Sequence, residues 1–320
     1  MKPFAYVTAQ SPDSANELVR GGGSYLAGGV DLLGELKESL LDPSILVNIK
    51  ELPGTRDIIE QTDSWTIGAN VTLSTLANHA GIRSAFPGLA EATVDVASPQ
   101  IRNVSTLGGN LAQHSRCWYF RQRDIKCLKN GGATCYAREG ENKHHSIFSG
   151  NPCISPMVSK PAVALAALDA NVTVWRGGKA VSMSIPDLYE HAWFNPLAQH
   201  SLRPGDLILS VSVPKSRTRS AYLLVSEKSE FDWALVSCCA AARLENDRVA
   251  EASVVLGSVA PVPYERDEVN SYLVGKILNE SVATRAADLL LESATPLEHN
   301  GYKVPMAKAL VRRTLVRLSQ

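Results

Sequence analysis

The sequence predicts an α+β chain in three segments, and three observations carry that prediction. Short extended patterns alternate with helical ones along the first half. The pattern restarts near Trp65 and again near residue 217. After residue 217, long strand patterns come first and helical spacing closes the chain. With 320 residues and 45% hydrophobic content, the chain is long enough for two or three cores.

The elements follow in order. Residues 14–22 predict a short helix, and residues 24–33 predict a strand, a glycine turn and a helix start. SILVNIK (44–50) is a strand between Asp42-Pro43 and Pro53-Gly54 turns. In the second segment, residues 65–73 read as strand, 74–81 as a helix ending at Gly81, and 87–97 as helix. Residues 98–115 are polar and glycine-containing, which argues against regular structure throughout. Residues 116–160 show little periodicity. Helix returns at 161–170, with strands at 171–175 and 207–213. In the third segment, 221–244 reads as two strands around a turn and 249–261 as another strand. Residues 281–294 and 304–318 have helical spacing.

Composition excludes some functions. The 32 basic and 32 acidic residues cancel, so no global field favours nucleic acid or an anionic membrane. No stretch reaches the roughly 18 apolar residues of a membrane span. The N-terminal residues lack a signal-peptide core, so the chain by itself is expected in the cytoplasm. Export to a periplasm would require a partner that carries a signal.

Two glycine turns are candidate phosphate cradles. LAGGVDLL (26–33) places Gly28 and Gly29 between a strand end and a helix start, where amides can face an anion. STLGGNLAQHS (105–115) offers the Thr106 hydroxyl, the Gly108 and Gly109 amides, and Asn110. Either is compatible with an ordinary turn. There is no Ser-His-Asp set or paired-carboxylate pattern to suggest hydrolysis.

Six cysteines are present, and four of them fall in one short region. Cys117, Cys127, Cys135 and Cys153 have the spacing C-x9-C-x7-C-x17-C, with no C-x-x-C pair. Four thiolates from one loop can hold either a [4Fe–4S] cluster or tetrahedral zinc. Arg116, Arg121, Arg123, Lys126 and Lys129 are cations near that loop, and His144 and His145 are expected at the surface. Cys238 and Cys239 lie in a strand pattern and should pack on opposite faces.

AGGVDLL and QIRNVSTLGGNL together resemble the FAD-binding subunit of the xanthine dehydrogenase and carbon monoxide dehydrogenase group, the molybdenum hydroxylases. Lys2 to Tyr6, AALDANV (166–172), FDWALVSCCAAARL (231–244) and VLGSVAPVPYER (255–266) extend the resemblance over nearly the whole chain. It implies a two-subdomain FAD-binding fold of the PCMH/VAO type, at 1–57 and 58–216, and a C-terminal α/β flavoprotein domain at 217–320. By the same resemblance, Ser24, Tyr25, Leu26, Ala27, Gly28, Gly29, Val30, Asp31, Leu32 and Leu33 wrap the diphosphate and ribityl region. Thr106, Leu107, Gly108, Gly109 and Asn110 form the second phosphate turn. Gln100 and Ile101 lie near the flavin, and Lys228 sits near the ring edge. Lys160 stands where relatives often have an acid, and Leu224 replaces a family lysine.

The roughly 40 residues inserted at 114–157 resemble the insertion of two subfamilies, the 4-hydroxybenzoyl-CoA reductase and periplasmic aldehyde oxidoreductase flavoprotein subunits. That resemblance implies a [4Fe–4S] cluster on Cys117, Cys127, Cys135 and Cys153. The partners it implies are a large molybdenum-cofactor subunit, a small subunit with two [2Fe–2S] clusters, and an external electron acceptor. Two alternatives are a self-contained FAD oxidoreductase and a zinc-binding interaction module without flavin.

Overall fold

A computed structural model describes residues 2–217, 219–228 and 231–320. Three sheets organise these residues, one in each segment. In the first segment, β1 (Ala5–Thr8), α1 (Pro12–Arg20), β2 (Gly23–Leu26), α2 (Leu32–Lys37) and β3 (Ile45–Asn48) follow one another. The strands form a parallel sheet in the order β1-β3-β2. Ser11 and Ser14 make a reciprocal capping box that starts α1, with Pro12 in its first turn. Between β2 and α2 runs the first glycine turn, where Gly29 adopts φ +73°.

The second segment contains β4 (Ile58–Glu60), β5 (Ser64–Gly68), α3 (Leu73–Asn78), α4 (Ala80–Ala85), α5 (Pro87–Val94), α6 (Pro99–Val104), α7 (Leu107–Leu111), α8 (Lys160–Ala167), β6 (Asn171–Arg176), β7 (Lys179–Ser184), α9 (Ile185–Phe194) and β8 (Leu207–Pro214). Its antiparallel sheet runs β4-β5-β8-β6-β7. Gly81 does not end a helix as its sequence context suggested. The break falls at His79, which caps α4, and Gly81 lies inside α4 against Trp65, where a Cβ would overlap the indole. The polar run 98–115 is more regular than expected. Ser98 and Thr106 cap two short helices in succession, α6 and α7. Every residue of α8 is buried, which its apolar sequence without a polar face requires.

The third segment is β9 (Arg219–Ser226), β10 (Ala234–Glu245), β11 (Arg248–Gly257), α10 (Asp267–Leu273), α11 (Glu280–Leu290) and α12 (Lys303–Leu318). Its antiparallel sheet runs β11-β10-β9. Asn246 and Asp247 both take positive φ, as a two-residue hairpin with right-handed strand twist demands. α12 packs on one face of this sheet and α8 on the other. Cys238 therefore joins the core shared with α12, and Cys239 joins the core shared with α8.

The cysteine insertion, 114–157, has one 3-10 turn, Leu128–Asn130, as its regular structure. Its later half packs on the third segment. Ile147 donates its amide to the Val259 carbonyl at 2.9 Å and accepts from the Thr295 amide at 2.8 Å. Phe148 stacks on Tyr264 with ring centres 3.9 Å apart. Among the described residues, no helix is long and apolar enough to cross a membrane.

Candidate cofactor and metal-binding sites

A cavity of about 600 Å³ opens where the three segments meet. This is within the size range of small-molecule and cofactor sites. Ser24, Tyr25, Ala27, Gly28, Gly29, Val30, Asp31 and Leu32 line it from the first turn, and Ile101, Thr106, Gly108, Gly109 and Asn110 from the second. The two glycine motifs, remote in sequence, are thus brought to one cavity. Leu26, Leu33, Gln100, Leu107 and Lys228 are not among its walls. Leu26 and Leu33 close around Gly29 instead, and Leu107 is fully buried in the second core. Lys228 lies at the β9–β10 turn, where its amide donates to Asp232 Oδ2 at 3.1 Å.

The two turns differ in what they offer an anion. The amides of Gly28, Gly29 and Val30 donate to no described protein acceptor. A Cβ at Gly28 would overlap the Val104 carbonyl, so only glycine lets this turn lie so close to α6. In the second turn the amides are already engaged. Gly108 donates to Ala69 O at 2.8 Å, and Gly109 donates to Thr106 Oγ1 at 3.2 Å. Thr106 acts there as the α7 cap, which leaves its hydroxyl proton, rather than the glycine amides, free for a ligand. The first turn therefore has the donor set of a diphosphate cradle, and the second supplies its opposite wall.

An ion network ties this cavity to the cysteine insertion. Asp31 accepts from the His114 amide at 2.7 Å, from Arg121 at 2.7 Å and from Arg116 at 2.9 Å. Glu35 is 2% exposed and meets His114 Nδ1 at 2.9 Å and Arg121 at 3.3 Å. Asp31, Glu35 and His114 gather closely enough to ligate a cation. The two guanidinium groups already satisfy that charge, so the cluster is an ion network rather than a metal centre. Arg116 also lies over the Trp233 ring, 5.1 Å from its centre. Lys160 reaches across the cavity floor to the carbonyls of Asp95 and Asp232, at 2.6 and 3.3 Å.

Cys117, Cys127, Cys135 and Cys153 all line a second, small cavity, with Tyr119, Phe120, Lys129 and His145 beside them. The Gly131–Gly132 turn brings Cys127 and Cys135 to it. Gly131 has φ +79°, and the Gly132 amide donates back to Cys127 O at 2.9 Å. No three of the four sulfurs lie within 4.8 Å of one another. Tetrahedral zinc with Zn–S of about 2.3 Å would set them about 3.8 Å apart. Burial pushes the Cys117 thiol up to about 12 and raises Cys153 as well, so an arriving metal must displace protons. Lys129 is the cation whose field reaches all four sulfurs, while Arg116 and Arg121 are committed to Asp31. His145 is not at the surface. It is 2% exposed, its Nε2 stands 3.2 Å from Cys117 Sγ, and burial pushes its pKa down to about 4.

The pattern of the FAD binding domain in molybdopterin dehydrogenase matches residues 2–216, and that of the CO dehydrogenase flavoprotein C-terminal domain matches residues 221–318. The chain is an FAD-binding subunit of the molybdenum hydroxylase family. It is 32% identical to the aldehyde oxidoreductase FAD-binding subunit PaoB of Escherichia coli K12, over 98% of each chain. Its identity to the carbon monoxide dehydrogenase medium chain of Hydrogenophaga pseudoflava is 26%, over 98% of this chain and 96% of that one. A chain of quinoline 2-oxidoreductase from Pseudomonas putida 86 shares the fold with a TM-score of 0.77 at 22% identity, covering 100% of this chain and 99% of that one.

The molybdenum hydroxylase flavoprotein fold explains which site residues were missed. Arg116, Lys160, His200, Asp232 and Trp233 all line the large cavity but belong to no glycine motif, and His114 lies only in the tail of the second one. Asp31 and Glu35 carried a readable signal, since their i,i+4 spacing puts both carboxylates on one side of α2. Their partners His114, Arg116 and Arg121 lie 79 to 90 positions away, and nothing in the sequence pairs them with these carboxylates.

Proposed function

We propose that the chain relays electrons through FAD in an assembly with a large molybdenum-cofactor subunit and a small subunit bearing two [2Fe–2S] clusters. In this reading Cys117, Cys127, Cys135 and Cys153 hold a [4Fe–4S] cluster, and an external acceptor takes the electrons. The observation that carries it is the adjacency of the two cavities. Gln113, His114 and Arg116 line the large one, and Cys117, the next residue, lines the thiol pocket. Four cysteines of one insertion lining a single pocket support a thiolate-held metal group there. The printed names of relatives, "FAD-binding subunit" and "medium chain", support membership of a larger assembly, and PaoB supports an aldehyde as its substrate.

Bound FAD supplies a two-electron store that exchanges electrons one at a time, and the cluster supplies a one-electron step. The protein's share is placement. The amides of Gly28 to Val30 would hold the diphosphate, with the Thr106 hydroxyl on the opposite wall. Lys160, Arg116 and Trp233 set charge and polarity at the deeper end. The test is anaerobic purification with the neighbouring subunits and assay of FAD, iron, sulfide and zinc per chain. About one FAD with four iron and four sulfide is expected. FAD without iron removes the cluster, and zinc without flavin overturns the relay.

A further inference from the structure

His145 is the buried side chain whose role the electron-relay reading leaves open. Its ring is walled in by Trp118, edge-on with centres 5.5 Å apart, and by Tyr119. Its backbone is held on both sides. The amide donates to Asn142 O at 2.9 Å, and the carbonyl accepts from Lys303 Nζ at 3.0 Å. Lys303, at the start of α12, is fully buried and also donates to the carbonyls of His144 and Ser258, each at 2.9 Å. The imidazole is therefore fixed, not one rotamer among several.

The ring aims at one atom. Nε2 lies 3.2 Å from Cys117 Sγ, while Nδ1 is buried without a partner. A sulfur bonded to iron is an anionic acceptor with no proton to give, so the nitrogen facing it must be the one that carries hydrogen. In a neutral ring this leaves Nδ1 as a bare lone pair, a smaller loss than a buried unpaired N–H.

We propose that His145 donates Nε2–H to the Cys117 sulfur and thereby raises the reduction potential of the cluster held by the four cysteines. The inference rests on the [4Fe–4S] reading above. Its physical basis is that reduction adds negative charge to the cluster and its sulfurs, and a hydrogen-bond donor stabilises the more negative state. His145 is a positioning and tuning residue that does not itself bind iron. Lys303 serves it from the far side by holding the peptide.

The test compares the anaerobically reconstituted full chain with His145→Phe and His145→Gln. Iron and sulfide are counted first, and the midpoint potential is then read by dithionite titration followed by electron paramagnetic resonance. All three proteins are expected to hold four iron. His145→Phe, which keeps a ring but no donor, shifts to a more negative potential. His145→Gln, whose amide nitrogen can reach the same place, recovers most of the shift. An unshifted Phe variant overturns the inference while leaving the cluster standing. Equal shifts in both variants overturn it as well, because a lost donor would then not be the cause. Iron lost from both variants makes His145 a ligand and also overturns it. A wild-type chain without iron removes the cluster reading itself, and this inference falls with it.

Discussion

Replacing Gly28 with alanine tests the diphosphate cradle at its tightest point. The added Cβ would overlap the carbonyl of Val104 and touch Ser105 Cα at 3.0 Å, and both are backbone atoms of the α6–α7 link that cannot swing aside. The first turn must therefore move away from α6, carrying the amides of Gly28, Gly29 and Val30 out of line. Each amide bond to a charged oxygen contributes about 1.5–3 kcal/mol. Losing two of them weakens FAD binding by about 3–6 kcal/mol, or roughly a hundred- to twenty-thousand-fold in Kd. The assay is fluorescence titration of FAD into the deflavinated full chain, with thermal unfolding run beside it. Gly34→Ala is the control. It occupies an exposed position of α2 with nothing within 4 Å of its Cβ position, and should leave affinity unchanged while adding up to about 1 kcal/mol of helix stability. If Gly28→Ala binds FAD within about threefold of wild type and melts where wild type does, the cradle assignment is wrong, however suggestive its free amides.

Three further outcomes follow from the same geometry. Asp31→Ala takes the carboxylate from Arg116 and leaves Arg121 with Glu35 alone, and should cost about 2–4 kcal/mol; limited proteolysis should then cut first within 114–157, and unchanged cleavage would argue against the tether. Cys135→Ser should lower bound iron and leave FAD in place, whereas Cys238→Ser should not alter iron content; equal iron loss in the two would dissociate the metal from the loop cavity. His200 has Nδ1 buried without a partner, and burial lowers its pKa from 6.5 to about 4. The unfolded chain thus binds a proton that the folded chain refuses between those values, so stability falls as pH drops from about 6.5 to about 4. His200→Phe should flatten that part of the denaturation profile, and an unaltered slope would place the acid sensitivity elsewhere.

Much of the fold was legible because periodicity is local. NVTVW gave its two-residue alternation directly, SILVNIK was a short apolar run bounded by turn residues, and the adjacent cysteines of the third segment do enter different cores. Gly81 misled for a physical reason. Glycine commonly ends helices through its positive φ, yet this one is there because Trp65 leaves no room for a side chain. Residues 98–115 were misread because two helices of five and six residues are too short to display a period, although Ser98 and Thr106 marked their starts. At the site, glycine motifs and cysteine spacing are visible in one dimension. The engaged amides of Gly108 and Gly109, the burial of His145 and the reach of Lys160 arise from contacts between distant segments. Adjacent histidines in a polar loop gave no hint that one of them would turn inward to a sulfur.

Lys303 has a consequence for how the protein is made. The peptide of His144 and His145 hangs from an ammonium group that lies 158 positions further along the chain. Asn300, Thr295 and His299 clasp the same stretch, through Ser146, Ile147 and Asn142. During synthesis all four thiols leave the ribosome long before this clasp exists. Until then the nascent loop carries its four thiols without any hold from the third segment's C-terminal residues. The loop gains this outer hold only when residues 295–303 are in place. The shape of the thiol pocket is thereby settled late in synthesis, and a chain truncated before α12 would carry all four thiols without the Lys303 ammonium that anchors the His144–His145 peptide.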